Sequence, residues 1–343
     1  MKREEYKKKK ASWAKTKRFL KISAFTFLIA AIGATAYLFK LHNQTVAVLD
    51  RSYAPLAQKE PQELHVEPAK DKISILLVGV DESEARHQME GHGRSDALIV
   101  ATLNPKAKSV KLVSIPRDSY VYIPRVNYRD KIAHAHAFGG TAASIDTVES
   151  LFDIPINYYI KMNFNAFIDV VDALGGVEVE VPYERIEKDE NDNNAIHLMP
   201  GLQRLDGRHT LALARTRKLD SDIERGKRQQ MILQAMIKEA TSIKSLTKYS
   251  DVINALGENM KTDMTSKQML SFIEYVKTGM PEVDTLTLSG YDDMSTGIYY
   301  YKLDERNLEE TRQILKSHLG LIPDSSSLTE LNTTQTASEL AHQ

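Results

Sequence analysis

The chain has 343 residues, of which 42% are hydrophobic and 27% are charged, as in an ordinary globular protein. It contains no cysteine, which excludes a disulfide framework, a zinc–thiolate site and a cysteine nucleophile. Of its 45 basic and 46 acidic residues, ten basic and two acidic lie between Met1 and Lys21, which leaves the rest of the chain with a net charge of −9.

The N-terminal segment predicts a membrane anchor. A basic head, residues 1–21, precedes Ile22–Phe39, which is uncharged and rich in Ile, Phe, Leu and Ala. A helix of this length is just long enough to span hydrocarbon, because Lys21 and Lys40 can extend their ammonium groups to the interfaces. We therefore expect a transmembrane helix over residues 22–41. The positive-inside rule places the head in the cytoplasm and the rest of the chain outside the cell.

A cleaved signal peptide is the alternative, since Ala34-Thr35-Ala36 has the small residues of a cleavage site. The long basic head and the apolar sequence that continues to Leu41 favour a retained anchor. Beyond it, residues 42–72 are polar and contain three prolines, which predicts a stalk. A folded domain is expected over residues 73–320, and the Ser- and Thr-rich residues 321–343 are typical of a disordered tail.

The folded domain begins with three apolar, β-branched strands. Later segments alternate between helical and strand-like periodicity without an internal repeat. This alternation predicts a single α/β domain in which helices pack on a sheet. The predicted strands are Ile73–Gly79, Ala97–Asn104, Lys111–Ile115, Asn157–Met162, Val177–Val181, Thr285–Ser289 and Ile298–Leu303. The predicted helices are Ala143–Phe152, Phe164–Leu174, Gly207–Ala214, Ile223–Ile243, Ser266–Val276 and Glu305–Leu319.

Charged motifs lie at the ends of the first three strands. Asp81 ends the first strand, Arg94 and Asp96 precede the second, and Arg117 follows the third. If these neighbours pair antiparallel, all four side chains share one edge of the sheet. A surface salt-bridge cluster is one interpretation. The other is a phosphate site in which the carboxylates hold Mg²⁺ and the guanidinium groups bind phosphate oxygens.

A second arginine cluster favours the phosphate interpretation. Arg215 and Arg217 lie two residues apart, and Arg225, Arg228 and Gln229 share one face of the following helix. A helix N-terminus with clustered arginines suits an anion. The alternative, a solvated arginine face, is weakened by the apolar residues around the cluster. An acidic domain that concentrates its arginines in this way indicates a specific anion rather than nucleic acid.

Taken in order, these motifs resemble the LytR–CpsA–Psr family of cell-wall glycopolymer ligases. The resemblance implies an α/β/α-type sandwich with a mixed sheet and an apolar cavity for a polyprenyl tail. Asp263 and the segment Gly290–Tyr301 look like the branch that attaches wall teichoic acid. The runs that carry the resemblance are Ser74–Asp81, Gly93–Asp96, Val113–Asp118, Lys131-Ile132 with His134, Phe138–Gly140, Leu174–Val177 and Ala214–Arg217 with Arg228-Gln229.

The resemblance also implies a reaction and its residues. A peptidoglycan hydroxyl attacks the phosphorus nearest the glycopolymer, and polyprenyl phosphate leaves. Either Asp96 or Asp118 could accept the proton. The catalytic set is Asp81, Arg94, Asp96 and Arg117, with Asp81 and Asp96 on Mg²⁺. The pyrophosphate-binding set is Arg94, Arg117, Arg215, Arg217, Arg228 and Gln229.

The implied partners are a polyprenyl-pyrophosphate-linked glycopolymer, peptidoglycan and the membrane of a Gram-positive bacterium, with no nucleic acid. Two alternatives stay open. A pyrophosphate hydrolase would use the same residues with water in place of the sugar. A non-catalytic membrane-anchored regulator or glycan-binding module would not need the pair Asp81 and Asp96. Ala133, His136 and Ser221 depart from the residues that are common in the family.

Overall fold

A computed structural model of the protein divides the chain into two units, residues 1–47 and 48–343. The predicted head and anchor lie outside the described residues, as do residues 324–343 of the predicted tail. Among the described residues, no helix combines the length and the apolar character that crossing a membrane requires. The structure describes residues 43, 45–56, 67–80, 93–189, 193–216, 221–242, 252, 255, 260–277 and 280–323.

The second unit contains all the elements that bear on the site. Its strands are β1 (Ile73–Val80), β2 (Ser95–Asn104), β3 (Ser109–Ser114), β4 (Tyr120–Ile123), β5 (Tyr128–Lys131), β6 (Tyr158–Met162), β7 (Val177–Val181), β8 (Arg185–Lys188), β9 (Asn194–Leu198), β10 (Gly201–Leu205), β11 (Met260–Thr262), β12 (Glu282–Thr287), β13 (Gly290–Asp293) and β14 (Tyr300–Leu303). Its helices are α1 (Ile132–Phe152), α2 (Phe164–Leu174), α3 (Gly207–Arg215), α4 (Asp222–Ala240), α5 (Ser266–Lys277) and α6 (Glu305–Leu319).

A mixed six-stranded sheet forms the centre, in the order β11-β6-β1-β2-β3-β12. The pairs β1–β2 and β2–β3 are antiparallel, which confirms the predicted arrangement of the first three strands. β6 runs parallel to β1, and β12 runs parallel to β3. In the described part of the chain, four two-stranded sheets accompany it: β4–β5, β7–β10, β8–β9 and β13–β14.

Helices cover both faces of the central sheet, as the α/β interpretation predicts. Alternate residues of a strand point to opposite faces, so Leu76 and Val78 belong to one core and Ile73 and Ile75 to another. The first core is completed by α1 and α6, for example through Val148 and Leu315. The second is completed by α4 and α5, through Leu233, Met269 and Phe272. The sheet therefore lies between two helical layers.

A third core lies beside the sheet and positions the arginine-bearing helices. It joins α2, β7, β9, β10, α3 and α4 through buried residues such as Val171, Val179 and Leu213. The side chain of Asn163 accepts a hydrogen bond from the backbone N–H of Ala166 and so caps α2. Because α3 packs in this core, its C-terminal end is held in a defined place beside the central sheet.

Helix α1 begins at Ile132, well before the predicted start at Ala143. The sequence prediction missed its first half because Gly139 and Gly140 interrupt the helix. Gly140 has φ 62° and ψ −154°, a conformation that is essentially restricted to glycine. The helix is therefore kinked at the Phe138–Gly140 motif. The predicted bounds of α2, β7 and α6 are confirmed, whereas the predicted strand Ile298–Leu303 begins only at Tyr300.

Candidate functional site

The ends of the first three strands meet at one edge of the sheet. Val80, the last residue of β1, pairs with Ser95, the first residue of β2. The backbone N–H of Ile115, just after β3, donates to the carbonyl oxygen of Leu98 at 2.9 Å. This confirms the geometry on which the first predicted cluster depends. Asp81 directly follows Val80 in the chain and lies outside the described residues.

Asp96 and Arg117 form an ion pair at this edge. The Nη1 group of Arg117 donates to Oδ1 of Asp96, and the two side chains are 16% and 29% exposed, respectively. Both line the large cavity described below, whereas Arg94 is exposed to solvent and does not line it. The structure thus brings two of the three described residues of the first cluster together.

Arg215 is the last residue of α3 and lies at the same cavity. Its guanidinium carbon is 4.5 Å from the ring centroid of Phe164, and its Nη1 group donates to the carbonyl oxygen of Asp189 at 3.0 Å. These contacts fix the guanidinium group from two sides. Arg217 lies outside the described residues.

The first turns of α4 bring another arginine to the site. Ser221 caps the helix, and its hydroxyl accepts from the backbone N–H of Glu224 at 3.4 Å. Arg225, which lines the cavity, is 4% exposed and pairs with Asp222 at 2.6 Å. A Cβ atom on Gly226 would lie 2.8 Å from the hydroxyl oxygen of Ser114, so a glycine here allows α4 to lie close to the end of β3.

Arg228 and Gln229 bind the C-terminal end of α3. The Nη2 group of Arg228 donates to the carbonyl oxygen of Thr216 at 2.7 Å, and its Nε group to that of Leu213 at 3.3 Å. Gln229 donates to the carbonyl oxygen of Ala214 at 3.3 Å and also lines the cavity. Helix C-termini leave such carbonyl groups without intrahelical donors. Arg228 is 6% exposed and is not among the cavity-lining residues, so it supports the segment that bears Arg215.

The cavity has a volume of about 730 Å³ and two chemically different parts. Polar and charged side chains form one part of the lining: Asp96, Arg117, Asn163, Arg215, Arg225 and Gln229. Apolar side chains from the sheet, α2, α4 and α5 line the rest, and they include Ile75, Leu77, Ile99, Ile160, Phe167, Val170, Ile232, Leu233, Met236, Met269 and Phe272. Three guanidinium groups against one carboxylate favour an anion, and the apolar part suits a hydrocarbon chain. The cavity fits an amphiphile with an anionic head.

The tyrosines near Asp222 are unsuited to accept a proton. Burial, followed by the charges of Asp292 and Asp222, raises the pKa of Tyr301 to about 12. Burial and the hydrogen bond to Asp292 also raise the pKa of Tyr299. Both phenols therefore stay protonated at neutral pH. Of the two candidate carboxylates, Asp96 lines the cavity, whereas Asp118 pairs with Lys131 at 2.8 Å and does not.

The donor set at the sheet edge is compatible with Mg²⁺. Within the described ranges, no three His, Asp or Glu side chains form a group that could hold a metal ion. Mg²⁺ does not require such a cage, because one or two carboxylates together with waters and substrate phosphates are its usual ligands. Asp96, in β2, supplies one hard carboxylate oxygen donor to the cavity. Asp81 directly follows β1, the strand that pairs with β2.

Sequence reasoning missed three residues that build the site. Asp222 accepts from the backbone N–H of Arg117 at 3.1 Å and so joins the two clusters. Phe164 supports Arg215, although its sequence position indicates only a helix start. The Asp189 carbonyl group lies at the end of the unpredicted hairpin β8–β9. Only Asp222 had a sequence signal, since an acidic residue in the first turn of a helix is typical.

The sequence and the fold match those of known proteins. The LytR_cpsA_psr family model matches residues 38–317 of the chain. The chain belongs to the LytR_cpsA_psr family. Among its family relatives, the polyisoprenyl-teichoic acid–peptidoglycan teichoic acid transferase TagT of Bacillus subtilis (strain 168) is 37% identical over 327 residues, which are 93% of this chain and 100% of the relative. The transferase TagU of Bacillus mycoides (strain KBAB4) is 38% identical over 300 residues, 85% of this chain and 95% of the relative.

Solved structures from the family share the fold. A structure of TagT bound to LIIa-WTA has a TM-score of 0.67 and 37% sequence identity, and the match covers 78% of this chain and 100% of that one. A structure of the LytR-CPS2A-psr family protein YwtF (TagT) with bound octaprenyl pyrophosphate lipid has a TM-score of 0.62 and 35% identity, with coverage of 78% and 100%. The fold class expected from the family resemblance is confirmed for the mixed α/β domain.

Proposed function

We propose that this protein is a transferase that moves an anionic glycopolymer, wall teichoic acid, from a polyprenyl-pyrophosphate carrier to peptidoglycan. The observation that carries the proposal is the cavity, whose lining combines a large set of apolar side chains with three guanidinium groups, those of Arg117, Arg215 and Arg225. An octaprenyl pyrophosphate lipid is bound in a structure of a family relative, and this ligand has the same two-part chemistry.

The donor binds with its hydrocarbon tail among the apolar side chains and its pyrophosphate at the polar end. Arg117, Arg215 and Arg225 line that end, and guanidinium groups suit phosphate oxygens because they can donate two parallel hydrogen bonds. Arg94 and Arg217 remain proposed pyrophosphate ligands on the family resemblance. Arg228 and Gln229 contribute by holding the end of α3.

In the reaction, an acceptor hydroxyl oxygen attacks the phosphorus nearest the glycopolymer. A new P–O bond forms to the sugar, the P–O bond to polyprenyl phosphate breaks, and the hydroxyl proton passes to a carboxylate, for which Asp96 at the cavity is the candidate. Phosphoryl transfer depends mainly on positioning and on stabilisation of charge, so the arginines that hold the leaving phosphate supply most of the catalysis. Asp96 and Asp81 would hold Mg²⁺, which when bound offsets the negative charge of the phosphates.

The test is a transfer assay with a lipid-pyrophosphate-linked donor, peptidoglycan and magnesium buffer. Asp96→Ala is expected to reduce transfer on the order of a hundredfold while the protein stays folded, because the Asp96 side chain is 29% exposed and water can solvate Arg117 in its place. Arg117→Lys keeps the charge but loses the two-pronged contact, so it is expected to impair transfer as well. Asp284→Ala is the matched control, since Asp284 is a half-exposed carboxylate that pairs with Lys111 elsewhere on the sheet.

Near-wild-type transfer by both Asp81→Ala and Asp96→Ala would show that the reaction does not occur at this edge, and a glycan-binding module would then replace the proposal. Analysis of the products with and without peptidoglycan separates transfer from hydrolysis. Release of free polymer at the same rate in both conditions would identify a pyrophosphate hydrolase.

A further inference from the structure

A group of tyrosines lies on two neighbouring hairpins, β4–β5 and β13–β14. Tyr120 of β4 and Tyr300 of β14 pack edge to face, with ring centroids 4.8 Å apart. Tyr291 of β13 is 64% exposed and pairs with Lys302 across the second hairpin. The Nζ atom of Lys302 lies 3.9 Å from the Tyr120 ring centroid. We call the group of Tyr120, Tyr291, Tyr299 and Tyr300 with Lys131 and Lys302 the tyrosine platform.

The tyrosine platform lies near Arg117, which lines the cavity. Arg117 lines the cavity, and Tyr120 follows three residues later, so their Cα atoms are at most about 11 Å apart. The intervening turn joins the two hairpins: Ser119 bridges to Tyr301, whose backbone N–H donates to the carbonyl oxygen of Asp118 at 2.9 Å. The platform is therefore close enough to Arg117 for one extended ligand to contact both.

The charges of the platform do not suit a polyanion. Lys131 pairs with Asp118 at 2.8 Å, and Lys302 approaches Asp293 at 3.5 Å. A further carboxylate, that of Asp292, accepts from the Tyr299 hydroxyl at 2.8 Å. Three carboxylates therefore lie beside two lysines, and this excess of negative charge disfavours binding of the phosphate-rich polymer. Partly exposed aromatic rings surrounded by donors and acceptors suit a sugar, whose C–H face packs on a ring while its hydroxyls form hydrogen bonds.

We propose that the tyrosine platform binds the glycan strand of peptidoglycan that accepts the polymer. This inference rests on the proposed transfer reaction and assigns the acceptor subsite to it. Sugar rings pack against Tyr291 and Tyr300, and hydroxyls bind Lys302 and Asp293, which share the face of these tyrosines on the β13–β14 hairpin. The strand then presents its reacting hydroxyl towards Arg117 and Asp96.

The test measures binding of soluble oligosaccharides of alternating N-acetylglucosamine and N-acetylmuramic acid to the full chain in detergent. Calorimetry should show Tyr291→Ala and Tyr300→Ala weakening Kd on the order of tenfold each, which is about 1.4 kcal/mol. Tyr291→Phe and Tyr300→Phe should retain most of the affinity, because they keep the ring. Tyr53→Ala is the control and should bind like wild type. Tyr53 is an exposed tyrosine that pairs with β11, the outermost strand of the central sheet on the side away from β12.

In the transfer assay the same alanine variants should raise KM for the acceptor and leave KM for the lipid donor unchanged. Wild-type oligosaccharide affinity in both alanine variants would overturn the proposal, as would an equal loss in Tyr53→Ala. Displacement of the oligosaccharide by poly(glycerol phosphate) would instead assign the platform to the polymer and would also overturn it. If the wild type binds oligosaccharide through these tyrosines but transfers no polymer, the platform stands and the proposed function fails.

Discussion

At the scale of single residues, Asp222 joins the two segments that carry the site arginines. One carboxylate oxygen accepts from the backbone N–H of Arg117 at 3.1 Å, and the other pairs with Arg225 at 2.6 Å. Both charged side chains are nearly buried, so little solvent competes with the pair. Asp222 therefore positions the arginines without itself lining the cavity.

We predict that Asp222→Ala destabilises the domain and weakens donor binding. Removal of one partner of a buried ion pair leaves a charge in a poorly solvated place, and the expected loss in unfolding free energy is about 3 kcal/mol. Urea denaturation and KM for the lipid donor measure the two effects. Glu224→Ala is the control, because Glu224 forms only an exposed pair with Lys227 in the same helical turn. Equal stability of the two variants would contradict this role for Asp222.

At the scale of elements, the C-terminal helix α6 is attached to the central sheet by a buried histidine. His318 lies 2.8 Å from the hydroxyl oxygens of both Thr102 and Ser109, so its two ring nitrogens hold β2 and β3 at once. Burial, followed by the charges of Lys111 and Lys72, lowers the pKa of His318 to about 4. A neutral ring can donate to one hydroxyl and accept from the other.

This element predicts a pH-dependent stability. In the unfolded chain the histidine pKa is about 6.5, so between pH 6.5 and 4 the unfolded chain binds a proton that the folded chain does not. The contribution of neutral His318 to the free energy of unfolding is complete above pH 6.5. It is lost as the pH falls towards 4, by up to about 1.4 kcal/mol per pH unit. Urea denaturation at several pH values measures it. His318→Gln should reduce this slope, and the exposed His197→Gln should not. An unchanged slope in His318→Gln would contradict the assignment.

At the scale of the whole molecule, the proposed reaction requires the cavity and the lipid donor to lie on the same side of the membrane. In the proposed reaction, the polyprenyl tail occupies the cavity between the sheet and helices α2, α4 and α5, and the acceptor is a cell-wall polymer. We therefore propose that residues 22–41 anchor the chain with the folded unit outside the cell. The basic head and the uncharged run that follows it support this orientation.

Protease treatment of intact protoplasts tests this topology. The expected result is loss of the folded unit and survival of a short N-terminal fragment, because only the head and anchor are then protected. Detergent-lysed protoplasts are the control, in which the head should also become accessible. Full protection of the folded unit in intact protoplasts would place it in the cytoplasm and would overturn the proposal.

Much of the fold follows from local sequence patterns. The antiparallel pairing of β2 and β3 could be predicted because only the short polar turn 105–108 separates these two apolar strands, and the same orientation was assumed for β1 and β2. The same reasoning predicted that Asp96 and Arg117 lie together, because each is at a strand end and antiparallel pairing brings those two ends to the same side of the sheet. The helices α2 and α6 were predicted to the residue because glycine ends each of them.

The rest depends on contacts between segments that are distant in the chain. Arg225 and Arg228 are equivalent in the sequence, on one face of one helix, yet Arg225 lines the cavity and Arg228 binds carbonyl groups of α3. The sequence by itself determined the positions of the arginine clusters in the chain, the bounds of several helices and strands, and the apolar periodicity, because these are properties of neighbouring residues. Only the tertiary structure decided which arginine faces the cavity and where the tyrosines gather, because packing between non-local elements sets the direction of each side chain.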